Sequence, residues 1–161
     1  MIMLRPFPMA ALLICLSGCG SNASKPDSGY GRFITGAPAA YESQMADDSV
    51  QQMVSLYPPA GTRLTMDQEA PDQFGTRLIE QLRAQGYALQ EAVQPPAAPQ
   101  SNRPSALPEE SGAASLNYVL DTVSSPNLYR VTLKVGNQTI SRAYLARSNV
   151  IHPAGAWARK E

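Results

Sequence analysis

The clearest pattern in the chain is a two-residue alternation of apolar and polar side chains in its last third. In the predicted strand 128–135, the side chains at 129, 131, 133 and 135 are apolar, and those at 130, 132 and 134 are polar or charged. This period predicts an antiparallel strand with one face in the core and one in water. Similar segments predict strands over 116–123 and 138–145, and Gly136-Asn137 is typical of a type II′ hairpin turn. The three strands are therefore predicted to form an antiparallel meander.

A period of three to four residues marks a short helix over residues 46–57. Its apolar side chains recur on one helical face, and the Pro58-Pro59 pair ends it. Asp47, Asp48 and Ser49 are candidate N-terminal caps, because side chains of these types accept hydrogen bonds from the first helical N–H groups.

A β-α-β unit follows this helix. Strands are predicted over 62–67 and 87–93, with an amphipathic helix between them. Pro71 opens that helix and Asp72 occupies its second position. Gly86 then suits a left-handed cap after the last turn.

These elements predict an α+β fold, made of a short helix, a small β-α-β unit and a C-terminal antiparallel β-meander. For residues 151–158 two interpretations stay open: a final short strand, or an irregular tail ending near Trp157. The predicted segments are a leader over 1–18, a flexible tether over 19–44, the helix and β-α-β unit over 45–93, a Pro-rich linker over 94–114, and the antiparallel segment of the same domain over 115–161.

The N-terminus carries a lipobox, the lipidation motif of bacterial lipoproteins. Arg5 and a short apolar run precede Leu16-Ser17-Gly18-Cys19. Small residues suit cleavage before Cys19, whose thiol would then carry a diacylglycerol. The apolar run is too short to span a bilayer, which takes about 20 residues. Since Gly20 rather than an aspartate follows, we expect the outer membrane. A secreted protein cut elsewhere, or a short N-terminal anchor, is the alternative to a lipoprotein.

Two segments between the leader and the meander leave choices open. Residues 30–34 interrupt the tether with apolar side chains, and they are either a peptide that docks on a partner or a strand lying on the domain. Residues 94–112 are Pro-rich, which favours a plain linker, and their length also allows a role in assembly.

Charge is uneven along the chain although its formal net charge is zero. Residues 40–93 hold three basic and eight acidic side chains, whereas 115–161 hold six basic and two acidic ones. Either the two halves attract each other within one fold, or each presents a docking face. The candidate contacts for docking a partner are the exposed edge of the sheet and one basic face formed by Arg130, Lys134 and Arg142.

The ingredients of catalysis are few. His152 is the single histidine, and no serine lies in a Gly-x-Ser-x-Gly turn. Loss of the leader with Cys15 leaves only the lipidated cysteine, so neither a disulfide nor a cysteine-based zinc site is expected. We therefore expect no enzyme, no cofactor, no metal, no small-molecule substrate and no direct contact with nucleic acid.

Several motifs along the mature chain resemble the TrbH family of conjugal transfer lipoproteins. Besides the lipobox, they lie at residues 30–33, 56–64, 72–75, 78–87, 129–136, 141–144 and 155–157. The resemblance implies a part of the mating-pair formation apparatus, which is a type IV secretion system for plasmid transfer. Cys19 is the one functional residue that it carries over.

The favoured hypothesis is a structural component, held at the periplasmic face of the outer membrane by lipid and docked on other subunits of the apparatus. A surface-exclusion or regulatory lipoprotein of the conjugation system is the alternative. A cell-wall hydrolase that uses His152 or a carboxylate is the third hypothesis.

Overall fold

The computed structural model describes residues 29–91 and 112–160. The predicted leader and Cys19 lie outside these residues, as does most of the predicted linker. The order of elements is β1 (Gly31–Arg32), α1 (Ala39–Leu56), a 3-10 turn (Pro59–Gly61), β2 (Arg63–Met66), α2 (Gln73–Ala84), β3 (Ala88–Glu91), β4 (Ala113–Thr122), β5 (Leu128–Val135), β6 (Gln138–Arg147), β7 (Val150–Pro153) and β8 (Ala158–Lys160). The α+β class and the antiparallel meander are confirmed.

One mixed sheet holds all the strands of the described residues. Its order is β3-β2-β4-β5-β6-β7, with β1 also paired to β4 and β8 also paired to β6. β2 pairs in parallel with both β3 and β4, while β4, β5 and β6 pair antiparallel. The predicted β-α-β unit is therefore β2-α2-β3, and the β2–β4 pairing joins it to the meander.

Residues 30–34 enter this sheet, which is the second of the two interpretations left open above. Gly31 pairs in parallel with Val119 of β4, and the backbone N–H of Phe33 donates to Leu120 O at 2.7 Å. Ile34 is 2% exposed. The predicted tether over 19–44 is thus too long, since both β1 and the first turns of α1 fall within it.

An ion pair with a buried glutamate joins β1 to α1. Nε and Nη2 of Arg32 donate to Oε1 of Glu42 at 2.9 and 2.8 Å, and Nη1 donates to Ile34 O. Glu42 is 2% exposed, whereas the side chain of Arg32 is 31% exposed, so the contact is buried on the glutamate side only. Its hydrogen bond with Glu42 raises the pKa of Arg32.

The first helix starts at Ala39, well before the predicted position 46. The reason is an apolar stripe that extends backwards through Tyr41 and Met45, both buried against the sheet. The proposed capping role of Asp47 and Asp48 is accordingly wrong, because both lie in the middle of α1. Their carboxylates pair with arginines of other elements instead.

The second helix matches its prediction except at its first residue. Asp72 is the N-cap rather than the second helical residue, and its side chain accepts from the N–H of Gly75 at 2.9 Å. Gly86 follows the helix with a φ of +90°, as expected of a left-handed cap. A Cβ on Gly75 would lie 2.4 Å from the Tyr118 hydroxyl, so a glycine is required where α2 crosses β4.

Tight turns set the register of the C-terminal strands. Gly136 has a φ of +57° and Asn137 does not share that sign, which agrees with the predicted type II′ turn. Ser148 and Asn149 both adopt left-handed φ values in the turn between β6 and β7. The last residues form two short strands, β7 and β8, that both pair with β6.

Candidate functional site

The two faces of the sheet differ in what covers them. Both helices of the described chain pack on one face, which we call the closed face, through contacts such as Phe74 with Tyr118 and Tyr41 with Tyr129. The opposite, open face is defined by the alternate strand positions. It comprises Asn117, Val119, Asp121, Leu128, Arg130, Thr132, Lys134, Thr139, Ser141, Ala143, Leu145, Arg147, Val150, His152 and Lys160.

Arg142 lies on the closed face, apart from the other two candidate docking residues. It is opposite Val131, which is fully buried, and its Nη1 donates to both carboxylate oxygens of Asp48 at 3.0 and 2.9 Å. Its Nε donates to Gly155 O at 2.8 Å. The proposal that Arg130, Lys134 and Arg142 share one basic face therefore needs correction, because Arg142 ties α1 to the sheet.

Tyr144 completes this contact beside Arg142. Its hydroxyl donates to Oδ2 of Asp48 at 2.5 Å, and its ring centroid lies 5.9 Å from Cζ of Arg142. Burial and the hydrogen bond to Asp48 raise the pKa of the Tyr144 hydroxyl. The tyrosine thus stays a neutral donor and contributes to a closed network.

Arg130 occupies the open face, where it forms an ion pair with its cross-strand neighbour. Its Nε donates to Oδ1 of Asp121 at 3.0 Å and its Nη2 donates to Oδ2. The hydrogen bonds to Asp121 raise the pKa of Arg130. The pair remains in contact with solvent, since the side chains are 45% and 23% exposed.

Lys134 is exposed on the same face, further along β5. Its Nζ lies 6.0 Å from the ring centroid of Tyr30, at the outer limit of a cation–π contact. The Tyr30 ring therefore reaches the open side of the sheet, so residue 30 borders that face.

The structure supports the first interpretation of the uneven charge, in which the two halves attract each other within one fold. The Asp48–Arg142 pair joins the acidic and basic halves within the fold. By contrast, Lys134, Arg147 and Lys160 form no ion pair with any residue in the described ranges, and all three lie on the open face.

Sequence reasoning missed part of the open face. Arg147 is there because it pairs with Val150 in the β6–β7 register, and the same register sets Leu145 beside His152. Leu145 and Val150 are large apolar side chains that are 42% and 44% exposed. The alternation alone did not assign these residues to a face, because the apolar side chains of Ile140 and Leu145 lie on opposite faces of β6.

A groove runs between α1 and α2, on the side of the helices that faces away from the sheet. Its volume is about 400 Å³, and the Arg77–Asp47 ion pair closes one side of it. Nε of Arg77 donates to Oδ1 of Asp47 at 2.8 Å. Val50 and Val54 supply its apolar wall.

The residue types considered for chemistry are dispersed in the described structure. His152 is exposed on β7, where it pairs with Leu145 and not with a serine or a carboxylate. Within residues 29–91 and 112–160, no group of histidine, cysteine and acidic side chains is arranged to hold a metal ion. In the same residues, neither helix has the length and apolar character needed to cross a membrane.

Comparison with protein families gives one clear finding. The family model for conjugal transfer protein TrbH matches residues 27–161, which is most of the chain. Comparisons with curated proteins and with solved structures give no match. The family match spans the whole described domain, including both helices and every strand. The chain therefore belongs to the TrbH family of conjugal transfer proteins.

Proposed function

We propose that the chain is a periplasmic lipoprotein that acts as a structural component of a conjugative type IV secretion apparatus. Acyl chains on Cys19 anchor it to the outer membrane in this proposal. The observation that carries it is the presence in one chain of a lipobox at residues 16–19 and of the conjugal transfer family over residues 27–161.

The construction of the domain supports a role in holding other parts in place. Three polar contacts brace it at different points: Arg32 with Glu42, Asp48 with Arg142, and Asp72 with the Tyr118 hydroxyl. Each joins separate elements, so the N-terminal segment, both helices and the sheet are fixed to one another. Such a domain can keep partners at a set distance and orientation.

Two accessible surfaces are available to other transfer components. The open face presents Arg130 and Lys134, and the groove between the helices presents Gln51 and Val54 beside Arg77. Neither surface requires a cofactor or a reaction, and the proposal contains no enzymatic step. The acyl anchor and these surfaces together define the role.

The anchor is tested by replacing each cysteine of the N-terminal segment in turn. The Cys19→Ser chain should lose the acyl mass and leave the outer-membrane fraction, because the acceptor thiol is gone. The matched Cys15→Ser chain should keep both, since that residue lies inside the leader. Mass spectrometry and membrane fractionation give the result. A Cys19→Ser chain that still carries lipid and stays with the outer membrane contradicts the anchor.

The role in transfer is tested by placing the protein in one mating partner at a time. Donor cells that lack it should transfer the plasmid at a much lower frequency, with rescue by the Cys15→Ser chain but not by Cys19→Ser. Recipient cells that express it alone should accept the plasmid as usual. Normal transfer from a donor lacking the protein rules out a required component, and reduced entry into the recipient identifies surface exclusion instead.

A further inference from the structure

The open face combines unpaired positive charge with exposed apolar side chains. Lys134, Arg147 and Lys160 project from it without an ion-pair partner in the described ranges. Leu145 and Val150 lie beside Arg147, where β6 ends and β7 begins, and each is more than two-fifths exposed. Lys134 and Lys160 lie on either side of Thr139, at the opposite end of β6. Such a flat surface suits a partner that is anionic at its boundary and apolar just beneath it.

The point where the chain enters the domain favours a membrane as that partner. Gly29 is exposed and the ring of Tyr30 lies beside Lys134, so this end of the described chain borders the open face. Cys19 precedes Gly29 by ten residues, which span at most about 35 Å when extended. A lipid on Cys19 would therefore hold the open face within reach of the bilayer, and this step rests on the proposed function.

We propose that the open face lies flat against the membrane surface, where Lys134, Arg147 and Lys160 bind anionic phospholipid headgroups. Leu145 and Val150 enter the interfacial layer between the headgroups. Each cation near an anionic surface favours this state about fivefold, so three of them favour it on the order of 100-fold. In this orientation the helices and their groove face the periplasm, away from the lipid.

Tryptophan reporters on opposite sides of the domain test the orientation. Leu145→Trp and Gln51→Trp are each made in a full-length Trp157→Phe chain and mixed with vesicles of phosphatidylcholine, alone or with phosphatidylglycerol. The Leu145→Trp reporter should shift to shorter wavelength and be quenched by brominated lipid in the phosphatidylglycerol vesicles. The Gln51→Trp reporter, on the exposed side of α1, should change little.

Charge variants then test the headgroup contact. Replacing Lys134, Arg147 and Lys160 together by Gln should shift the equilibrium of the Leu145→Trp reporter away from the lipid by on the order of 100-fold. A matched variant lowers the net charge equally on the helical side and should keep the wild-type signal. It carries Gln44→Glu, Gln51→Glu and Thr76→Glu.

The outcomes separate this inference from the proposed anchor, because the vesicle signal is read on the chain whether or not Cys19 is acylated. If Cys19 carries no acyl chain but the Leu145→Trp reporter still responds to phosphatidylglycerol vesicles, only the proposed anchor is contradicted. The inference is overturned if, in an acylated chain, the Leu145→Trp fluorescence is the same with and without phosphatidylglycerol. The inference also fails if the open face becomes protected only when other transfer proteins are present, since the face then binds a protein.

Discussion

The two faces of one sheet use arginine in opposite ways. On the closed face, Arg142 has the Asp48 carboxylate and a backbone carbonyl as partners, and its side chain is 20% exposed. On the open face, Arg130 pairs only with the adjacent Asp121, and its side chain is 45% exposed. Arg142 therefore braces the helix against the sheet, whereas Arg130 forms a solvent-exposed pair within the sheet itself.

The tyrosines follow the same division. Tyr118 and Tyr144 are buried on the closed face and each donates its hydroxyl to a carboxylate, of Asp72 and Asp48 respectively. Tyr30 reaches the open side and contacts Lys134 there. Packing thus fixes the polar groups of one face and leaves those of the other free to meet a surface.

The largest expected difference between the faces comes from two leucines of neighbouring strands. Leu133→Ala removes a fully buried side chain from the closed face and should lower the free energy of unfolding by about 2–5 kcal/mol. Leu145→Ala, on the open face, should change it by less than about 0.5 kcal/mol. Chemical denaturation measures both. Similar losses in the two variants would show that the open face is covered in solution.

Alkaline pH should weaken the closed face through its tyrosines. Burial, helped by the hydrogen bonds to carboxylates, raises the pKa of Tyr118 and Tyr144 above the ordinary 10.0. The unfolded chain then releases these protons first, so their contribution is complete below about pH 10 and is lost as the pH rises above it. The slope is about 1.4 kcal/mol per pH unit for each tyrosine.

Denaturation curves between about pH 9 and about pH 11 give this slope, and Tyr144→Phe supplies the control. The phenylalanine cannot ionise, so the slope above about pH 10 should fall by the share of one tyrosine. An unchanged slope in Tyr144→Phe would mean that this hydroxyl titrates alike in the folded and unfolded chain.

Local patterns were enough to predict most of the fold. The alternation over 128–135, the Gly136-Asn137 turn and the cap at Gly86 each depend on neighbours along the chain, and each agrees with the structure. The β-α-β unit follows from the same kind of signal. The sequence signals that specify these elements therefore lie within a few residues of one another.

The errors arose where partners are distant in sequence. Asp47 and Asp48 have the composition of a helix cap, yet they lie within α1, and their partners are Arg77 of α2 and Arg142 of β6, which are distant in sequence. Arg142 lies on the same face of β6 as Ile140 and Tyr144, whereas the apolar Leu145 lies on the other face. The alternation in β6 therefore did not show which of its faces is buried. Which residues lie on the open face depends on which face of β6 is buried.

The smallest expected contrast is between the two arginines themselves. Arg142→Gln leaves the half-buried Asp48 carboxylate with Tyr144 as its remaining side-chain donor in the described structure, which should cost about 1–2 kcal/mol of unfolding free energy. Arg130→Gln breaks an exposed pair and should cost about 0–1 kcal/mol.

Adding Asp48→Asn to Arg142→Gln sharpens the comparison, because it removes the carboxylate charge left behind by the first change. If the two changes acted independently, the double variant would lose the sum of the two single losses of unfolding free energy. It should lose no more than that sum, and the difference is the coupling energy between the two side chains. A matching cycle on Arg130 and Asp121 should give a smaller coupling that salt screens further. Equal coupling energies in the two cycles would mean that the helices do not shield Arg142 from solvent, and the distinction between a closed and an open face would then fail for charge.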